Sequence, residues 1–407
     1  MLPIPKRLAS ALPWLRFLFG LGCLLTAALG VFPAPNQLAW LLSVGVTEWG
    51  HLLALLGLLT LLPGFRKAWP SKLGAACGVA AVALALSPIV RACWMAGSVR
   101  ADVERAFGTV APAIRENAPA RSAPIVLSDI PFGIATPGVT VQTLSYASPD
   151  GTALKFDLYS PLGLDPASAP APLVIGIHGG AWQGGNREEL PALARYLASR
   201  GYVYAALDYR LAPAAKFPAA VDDVRAAIAY LKSNATKFHI DPHRLVLFGR
   251  SAGGHLALLS AYRLNDPDIL GVVSMYAPTD LIWGYNHPTR PSVINSKRVL
   301  EDFLGGTPET NADAYRDASP LTFVTASSPP TLLIHGEHDD LVHMYHSERL
   351  IERLQDAKRP CLLLRIPWGR HGCDANLGGP GGQISLYAIE RFFAACLTAS
   401  PSDKPPK

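Results

Sequence analysis

Charged residues are scarce in this sequence. Asp, Glu, Lys and Arg make up 16% of its 407 residues, whereas about 25% is usual. Apolar residues reach 50%, which excludes a mainly disordered chain because disorder needs the opposite balance. Six cysteines are present and none forms a C-x-x-C pair, which argues against a disulfide scaffold and a zinc ribbon. The low charge predicts an unusually apolar core or membrane segments.

The basic residues are unevenly placed along the chain. Residues 1–100 hold eight Lys or Arg and one acid, Glu48, while the remainder holds 28 basic and 30 acidic residues. The positive excess therefore lies in the most apolar part of the chain. This pattern is typical of membrane proteins, so we expect the lipid bilayer, and not nucleic acid, as a partner of this region.

Three apolar stretches near the N-terminus have the length of membrane spans. They cover about residues 12–32, 38–62 and 73–94, and roughly 20 residues of helix are needed to cross a bilayer. Lys and Arg cluster before the first stretch and between the second and third, which predicts a cytoplasmic N-terminus. We therefore expect a multi-pass protein of the inner or cell membrane, with the rest of the chain periplasmic or extracellular. If the first stretch is instead a cleaved signal peptide, the rest of the chain still ends outside.

Glu48 and His51 lie three residues apart inside the second stretch. Ionisable residues within membrane spans often mark functional sites. No array typical of transporters accompanies them, so the simpler interpretation is a neutral, hydrogen-bonded pair that ties helices together.

A change of pattern near residue 139 divides the chain. We predict a membrane region at 1–99, a linker at 100–138, a large folded domain at 139–399 and a disordered tail at 400–407. In the large domain, apolar runs of strand length alternate with segments of helix length. This alternation predicts an α/β fold with a mostly parallel sheet and helices on both faces. The predicted strands are 139–146, 153–159, 173–177, 202–207, 245–248, 269–275, 331–334 and 361–366, and the predicted helices are 187–199, 219–234, 253–262, 343–355 and 383–397.

A candidate nucleophile follows the predicted strand 245–248. Residues 249–253, GRSAG, fit the pattern G-x-S-x-G and precede a helical segment. A serine in this strand–turn–helix context has an exposed hydroxyl at the N-terminus of a helix. Ser251 is therefore the predicted nucleophile.

A serine hydroxyl is a weak nucleophile until a base takes its proton and an acid orients that base. Asp339 and His371 each follow a predicted strand, and the order Ser251, Asp339, His371 suits this chemistry. Asp340 is the alternative acid, but the spacing H-G-x-x-D counted from His335 favours Asp339. His371 is the predicted base.

The segment HGGAW at 178–182 follows another predicted strand. Its glycines allow backbone N–H groups to turn towards a developing oxyanion. Gly180, Ala181 and Ala252, which follows the nucleophile, are the predicted donors. Trp182 is a candidate for the substrate pocket.

The segment 281–330 lies between two predicted strands and is a candidate lid or pocket wall. Its residues Trp283 and Tyr285 are further pocket candidates. No metal and no cofactor are expected, because neither paired cysteines nor regular ligand spacing is present. The nearby histidines are interpreted as loop and surface residues: His335, His338, His343 and His346.

Several motifs together resemble those of a known family. They are similar to the α/β-hydrolase fold, in its hormone-sensitive-lipase-like and acetyl-esterase-like carboxylesterase branch. The resemblance covers about residues 139–399 and implies a serine esterase that needs no cofactor and acts on a small-molecule ester. Ala181 departs from the third glycine that lipase-like members often carry. The motifs are HGGAW (178–182), DYRLAP (208–213), FPAAVDDV (217–224), GRSAGGH (249–255) and HGEHDDLV (335–342).

The expected function is therefore that of a membrane-anchored serine hydrolase for carboxylic esters with short to medium acyl chains. An amidase, peptidase or formamidase using the same triad is an alternative. A catalytically inactive membrane sensor or scaffold is an alternative of another class. The near-neutral charge after residue 100 also predicts that residues from about 125 onward fold and act without the membrane region.

Overall fold

The computed structural model describes residues 6–62, 68–108, 120–136, 138–164 and 167–398. The predicted tail at 400–407 and part of the predicted linker, 109–119, lie outside the described residues. The helices are α1 Lys6–Ala28, α2 Gln37–Glu48, α3 Gly50–Leu58, α4 Trp69–Phe107, α5 Asp129–Phe132, α6 Pro191–Ser199, α7 Ala219–Ser233, α8 Ala235–Phe238, α9 Ala252–Leu264, α10 Leu281–Asn286, α11 Ser296–Leu304, α12 Ala312–Asp317, α13 Tyr345–Asp356 and α14 Pro380–Thr398. The strands are β1 Val139–Ala147, β2 Ala153–Pro161, β3 Ala171–Ile177, β4 Val203–Leu207, β5 Ile240–Arg250, β6 Ile269–Met275, β7 Thr331–Gly336 and β8 Cys361–Ile366.

An eight-stranded sheet organises the large domain. Its strand order is β1-β2-β4-β3-β5-β6-β7-β8. β2 pairs antiparallel with both β1 and β4, and the remaining neighbours pair in parallel. Every residue of β3 and β4 is buried, because helices cover both faces of the sheet. The predicted α/β fold with a mostly parallel sheet is confirmed.

Two apolar clusters fill the space between the sheet and its helices. One contains α7 and α9, and the other contains α6 and α14. The second cluster also includes Val99 and Val103 of α4, both fully buried. Further along α4, the Phe107 ring meets that of Phe392 with centroids 4.8 Å apart. The helix therefore continues past residue 99 into the predicted linker, because its apolar residues recur at helical spacing and pack on α14.

Small residues bring α1 and α4 close together. A Cβ on Gly20 would collide with the carbonyl group of Gly74, and Ala27 packs with Ala81 further along. From the first contact to the second, the residue numbers rise along both helices, so α1 and α4 run parallel. Such small-residue contacts are typical of helices packed within membranes.

The helix α3 runs in the opposite direction along α4. Gly50, at its start, lies against the carbonyl group of Ala85, and Gly57, near its end, lies against that of Gly78. A short 3-10 turn, Leu59–Leu61, extends it. The three helices α1, α3 and α4 thus run up, down and up beside one another.

Among the described residues, two helices are long and apolar enough to cross a membrane, Ala11–Ala28 and Trp69–Phe107, and the bent pair α2 and α3 would make a third span if counted as one. The second predicted span, 38–62, is not one straight helix, since α2 and α3 meet at an angle of 84°. The bend lies at Trp49, whose backbone is not helical. Asn376 Nδ2 donates to the carbonyl oxygen of Glu48 at 3.1 Å, which takes that oxygen away from the helical hydrogen-bond pattern.

The predicted pairing of Glu48 with His51 is wrong. The Glu48 side chain is fully buried, and its Oε2 accepts a hydrogen bond from the N–H of Gly381 at 3.1 Å. His51 lies beyond the bend, and its Nδ1 has no partner within the described part of the chain. Glu48 therefore attaches the membrane region to the start of α14.

Candidate active site

Ser251 occupies a sharp turn between β5 and α9. Its backbone has φ 52° and ψ −122°, a conformation that is strained for a residue with a side chain. Its N–H donates to the carbonyl oxygen of Met275 at 2.9 Å. Gly249 and Gly253 approach so closely that a Cβ on Gly249 would collide with the backbone of Gly253. The glycines of the G-x-S-x-G pattern are thus required by the turn that presents the Ser251 hydroxyl.

The structure brings Ser251, His371 and Asp339 into one chain of hydrogen bonds. His371 Nε2 lies 2.9 Å from Ser251 Oγ, and His371 Nδ1 lies 2.8 Å from Asp339 Oδ2. When Nδ1 carries the proton and donates it to Asp339, Nε2 has a lone pair directed at the serine hydroxyl. This arrangement can remove the hydroxyl proton as the oxygen attacks a carbonyl carbon.

Buried hydrogen bonds hold Asp339 in place. Its Oδ1 accepts from the N–H groups of Leu341 and Val342, both at 2.8 Å, and His335 Nε2 lies 3.3 Å from its Oδ2. Burial alone would raise the pKa of Asp339, but the charge of His371 and hydrogen bonds from His335 and His371 together hold that pKa well below its usual range. The carboxylate is therefore ionised at neutral pH.

The neighbouring carboxylate, Asp340, has different partners. Its Oδ2 accepts from Arg370 Nη1 at 2.7 Å and from the N–H of Ala34 at 3.4 Å. Ala34 belongs to the connection between α1 and α2. Asp340 thus contacts the membrane region, while Asp339 faces the imidazole of His371.

The loop after β3 carries the predicted oxyanion donors. Gly180, Ala181 and Trp182 have φ values of 103°, 53° and 58°. Among the described residues, none accepts a hydrogen bond from the N–H of Gly180 or Ala181. Ala252 is the first residue of α9, so its N–H has no acceptor within the helix. These residues line the same cavity as Ser251, where their N–H groups can receive negative charge.

A carboxylate that was not predicted from the sequence supports this loop. Glu189 Oε2 accepts a hydrogen bond from the N–H of Gly179 at 2.7 Å. Its Oε1 lies 3.2 Å from Arg250 Nη1. Glu189 thus holds Gly179, the residue before Gly180, in place. No signal in the sequence pointed to this role, because Glu189 lies outside the motif HGGAW.

A second buried network lies behind the imidazole. Arg250 Nε pairs with Asp374 Oδ2 at 2.7 Å, and the Tyr276 hydroxyl donates to Asp374 Oδ1. The ring centroid of Tyr276 lies 4.5 Å from that of His371. This network was also not predicted, since its members come from three separate segments and share no motif.

The triad opens into a cavity of about 630 Å³. The predicted residues Trp182, Ser251 and His371 line it. The Trp182 ring is otherwise buried, stacked on Phe303 with centroids 4.3 Å apart. Its Nε1 donates to His255 Nδ1 at 3.2 Å. Trp182 therefore forms the floor of the cavity and is part of the core beneath it.

Two predicted pocket residues, Trp283 and Tyr285, do not line the cavity. The helix α10 instead turns Leu281 and Gly284 towards it, three residues apart and hence on one helical face. Trp283 stacks on His287 with centroids 4.3 Å apart. The Tyr285 hydroxyl donates to Glu301 at 2.8 Å. The predicted segment 281–330 does supply one wall of the cavity, and these further lining residues belong to it: Thr289, Ile294, Ser296, Val299 and Leu300.

The interpretation of the histidines as surface residues is wrong for two of them. His335 and His346 are buried. His335 Nδ1 lies 2.7 Å from the Ser347 hydroxyl, and His346 Nδ1 accepts from the N–H of Thr279 at 3.2 Å. Burial lowers the pKa of His346 to about 3, so it is neutral. Within the described ranges, no group of three or more His, Cys, Asp or Glu could hold a metal ion.

Comparisons with known proteins agree with this geometry. The BD-FAE family model matches residues 156–354. "Probable carboxylic ester hydrolase LipM" of Mycobacterium tuberculosis is 31% identical over 258 residues, which cover 60% of this chain and 58% of the relative. "Esterase LipC" of the same organism is 34% identical over 243 residues, which cover 56% and 59%. A solved structure, "Bacterial Heroin Esterase", superposes with a TM-score of 0.56 at 25% identity, over 65% of this chain and 86% of the other.

The large domain has the α/β-hydrolase fold of this solved esterase. The two curated relatives carry the names of ester hydrolases, as the resemblance of the motifs implied. The chain spans a little under three fifths of the length of both curated relatives. From here on, the part of the chain from β1 to α14 is called the hydrolase domain.

The cavity beside Ser251 has one wall that was not predicted at all. Trp40, Leu41, Val44 and Trp49, from α2 and the bend after it, line the cavity beside Ser251. They belong to the second apolar stretch, which the sequence pattern assigned to a membrane span. No motif connects this stretch to the triad, because the connection exists only through tertiary packing.

Proposed function

We propose that this chain is a membrane-anchored serine hydrolase that cleaves carboxylic esters through an acyl-enzyme. The observation that carries the proposal is the hydrogen-bonded chain from Ser251 through His371 to Asp339, beside N–H groups that are free to bind an oxyanion. The apolar cavity around it has a volume within the range of small-molecule sites. The names of the curated relatives also support an ester substrate.

Acylation begins when Ser251 Oγ attacks the ester carbonyl carbon. His371 Nε2 takes the hydroxyl proton, and Asp339 stabilises the imidazolium that forms. The carbonyl oxygen becomes an oxyanion, and the N–H groups of Gly180, Ala181 and Ala252 stabilise it by hydrogen bonds. As the tetrahedral intermediate collapses, the carbon–oxygen bond to the alcohol breaks and His371 gives its proton to the departing alcohol.

Deacylation repeats these steps with water as the nucleophile. His371 Nε2 takes a proton from a water molecule, whose oxygen attacks the acyl carbon bound to Ser251 Oγ. The same N–H groups receive the second oxyanion. When this intermediate collapses, the bond to Ser251 Oγ breaks, the carboxylic acid leaves, and His371 returns the proton to the serine. No redox change occurs in either half of the reaction.

We also propose short to medium acyl chains. The cavity of about 630 Å³ must hold both the acyl and the alcohol part of the ester. At Trp182 the cavity meets the core, where the Trp182 ring stacks on that of Phe303. This boundary limits the space for a chain on that side of Ser251.

The membrane anchorage, with the hydrolase domain on the periplasmic or extracellular side, is part of this proposal. The up–down–up course of α1, α3 and α4 supports it. At the end of this bundle remote from the hydrolase domain, Arg16 donates to the Ser71 hydroxyl at 2.9 Å and to the Leu62 carbonyl oxygen at 2.7 Å, with Lys72 next in the chain. Positive residues favour the cytoplasmic side. Protease added to intact spheroplasts should digest the hydrolase domain, and protection until lysis would refute this orientation.

The proposed activity is tested with p-nitrophenyl esters of graded acyl length. The detergent-solubilised full chain should hydrolyse them, with a maximum at short to medium chains. The Ser251→Ala variant should lose about 10⁶-fold in kcat, as expected when a triad nucleophile is removed. A variant that keeps a tenth of the wild-type turnover would rule out Ser251 as nucleophile.

A further inference from the structure

We propose that the acyl chain of the substrate enters the cavity from the bilayer, through the edge formed by Leu41 and Trp49, so that the enzyme acts on esters dissolved in the membrane. This inference rests on the proposed function and names the physical class of its substrate. It begins with the wall that α2 contributes to the cavity.

Two residues of this wall belong to both the cavity and the outer apolar surface. Leu41 and Trp49 line the cavity, yet 53% and 38% of their surfaces are exposed. On α2, the exposed side chains of Leu38 and Leu42 continue the apolar surface outward. The cavity is therefore continuous with an exposed apolar face. An apolar face of this kind marks an interaction with lipid or another apolar partner.

The position of this edge along α4 places it at the depth of acyl chains. Gly50, directly after Trp49, packs against Ala85 of α4. Trp94 lies nine residues further along α4, which corresponds to about 13 Å of helix, and 84% of its surface is exposed. Exposed tryptophans are typical of the membrane–water interface. If Trp94 marks that interface, the edge at Trp49 lies below it, among the lipid tails.

The stretch of chain that carries this edge is nearly without charge. Residues 17–65 contain a single charged residue, Glu48, and its side chain is fully buried. A water-filled entrance would present polar groups to solvent, as protein surfaces usually do. An uncharged, exposed apolar edge is instead matched to an acyl chain arriving from lipid.

Contacts on both sides of the catalytic base hold this wall in place. Arg370 Nη2 donates to the carbonyl oxygens of Leu29 and Phe32, both at 2.7 Å. Gly372, on the other side of His371, lies against the Val44 side chain. The wall is thus a fixed part of the active site, beside the route from the exposed edge to Ser251.

The first test compares two esters with the full chain reconstituted in phosphatidylcholine vesicles. p-Nitrophenyl octanoate partitions into the bilayer, whereas p-nitrophenyl acetate stays mainly in water. In a stopped-flow measurement, before the ester exchanges between vesicles, octanoate loaded into the vesicles that carry the enzyme should be hydrolysed faster than the same amount loaded into separate, enzyme-free vesicles. Acetate, which reaches the enzyme through water, should give the same initial rate in both arrangements. Equal initial octanoate rates in the two arrangements would overturn the inference.

The second test places a polar group at the edge. Leu41→Gln should lower the ratio of octanoate to acetate kcat/KM by about tenfold, the order expected when apolar contact in a pocket is lost. Leu25→Gln is the matched control, since Leu25 is an exposed leucine of α1 that does not line the cavity. It should leave the ratio within about twofold. An unchanged ratio in Leu41→Gln, or an equal loss in both variants, would contradict the inference.

The outcomes separate this inference from the proposed function. If the wild-type chain hydrolyses neither ester, the proposed function fails and the inference fails with it. If it hydrolyses acetate but octanoate reacts no faster from the vesicles that carry the enzyme than from separate vesicles, only the inference fails. Labelling of Ser251 with a small fluorophosphonate shows whether the Leu41→Gln site is folded. If that variant does not label, the vesicle measurement on the wild type decides.

Discussion

Trp40 lies against His371, with ring centroids 6.5 Å apart and planes tilted by 53°. Trp40 belongs to the short helix α2 near the N-terminus, and His371 belongs to the loop after the last strand of the hydrolase domain. The N-terminal helices therefore help to form the cavity beside Ser251. This relationship changes what is expected of a shortened chain.

A fragment of residues 125–407 should be poorly soluble and largely inactive, contrary to the independence that the sequence predicted. It would lack the carbonyl groups that Arg370 binds and the wall at Trp40. The fragment would also lack Val99 and Val103 of α4, which are fully buried in the second apolar cluster, so the apolar surface that they cover would be exposed. The measurement compares the monodispersity and kcat of the fragment with those of the detergent-solubilised full chain. A monodisperse fragment with full kcat would show that the membrane region is only a tether.

Asp339→Asn should reduce kcat far more than Asp340→Asn. The amide at 339 can no longer hold the imidazole of His371 in the required tautomer, which costs about 10⁴-fold in the serine-protease template. Asp340→Asn weakens the pairing with Arg370 and should act on stability more than on kcat. Steady-state kinetics and melting temperatures of both variants separate the two effects. The reverse ranking in kcat would make Asp340 the orienting acid.

Glu189→Ala should lower kcat with little change in KM. Without its carboxylate, the N–H of Gly179 loses its acceptor and the oxyanion loop is free to shift. Removing one oxyanion donor outright costs about 10²- to 10³-fold in kcat, so a loop that is only displaced should lose less. Glu188→Ala is the control, because that side chain is 67% exposed. Equal kinetics in the two variants would show that Glu189 does not position the loop.

The stability of the protein should fall as the pH falls from about 6.5 to 4, in part because of His255. Burial lowers the pKa of His255 to about 4, and its Nε2 donates to the Ala318 carbonyl oxygen at 2.6 Å. In this pH window the unfolded chain binds a proton at His255 that the folded chain does not, so acid favours unfolding. The resulting loss in the free energy of unfolding reaches up to about 3 kcal/mol.

Two variants isolate this contribution. His255→Gln should lose less stability between pH 7.5 and 4 than the wild type does, although it starts from a lower value. His243→Gln should follow the wild type, because the His243 side chain is 75% exposed. Thermal unfolding in detergent at each pH measures the difference. If His255→Gln loses as much stability between pH 7.5 and 4 as the wild type does, the pKa of His255 does not differ between the folded and unfolded chain.

Strands with strong local patterns could be predicted from the sequence. The bounds of β6 and β8 match the apolar runs 269–275 and 361–366. β5 begins at Ile240, earlier than predicted, because Ile240 pairs with Ala171 while the intervening residues are polar. That Ser251, Asp339 and His371 lie together could be predicted because parallel strands bring their carboxyl ends to one edge of a sheet.

Features that depend on contacts between distant segments could not be predicted. The bend at Trp49 depends on Asn376, and the position of Trp40 depends on the loop that carries His371. Neither contact has a periodic or motif signal. Trp283 was misplaced for a different reason, since the rotation of α10 about its axis is fixed by packing and not by composition.

The most direct test of the account is covalent labelling of the full chain with a fluorophosphonate, followed by peptide mass spectrometry. Attack by Ser251 Oγ forms an oxygen–phosphorus bond, fluoride departs, and His371 accepts the hydroxyl proton. We predict one adduct, on the peptide containing Ser251, that is absent in Ser251→Ala and forms much more slowly in Asp339→Asn. Ester hydrolysis without an adduct on that peptide, or an adduct of equal yield in Ser251→Ala, would contradict the account.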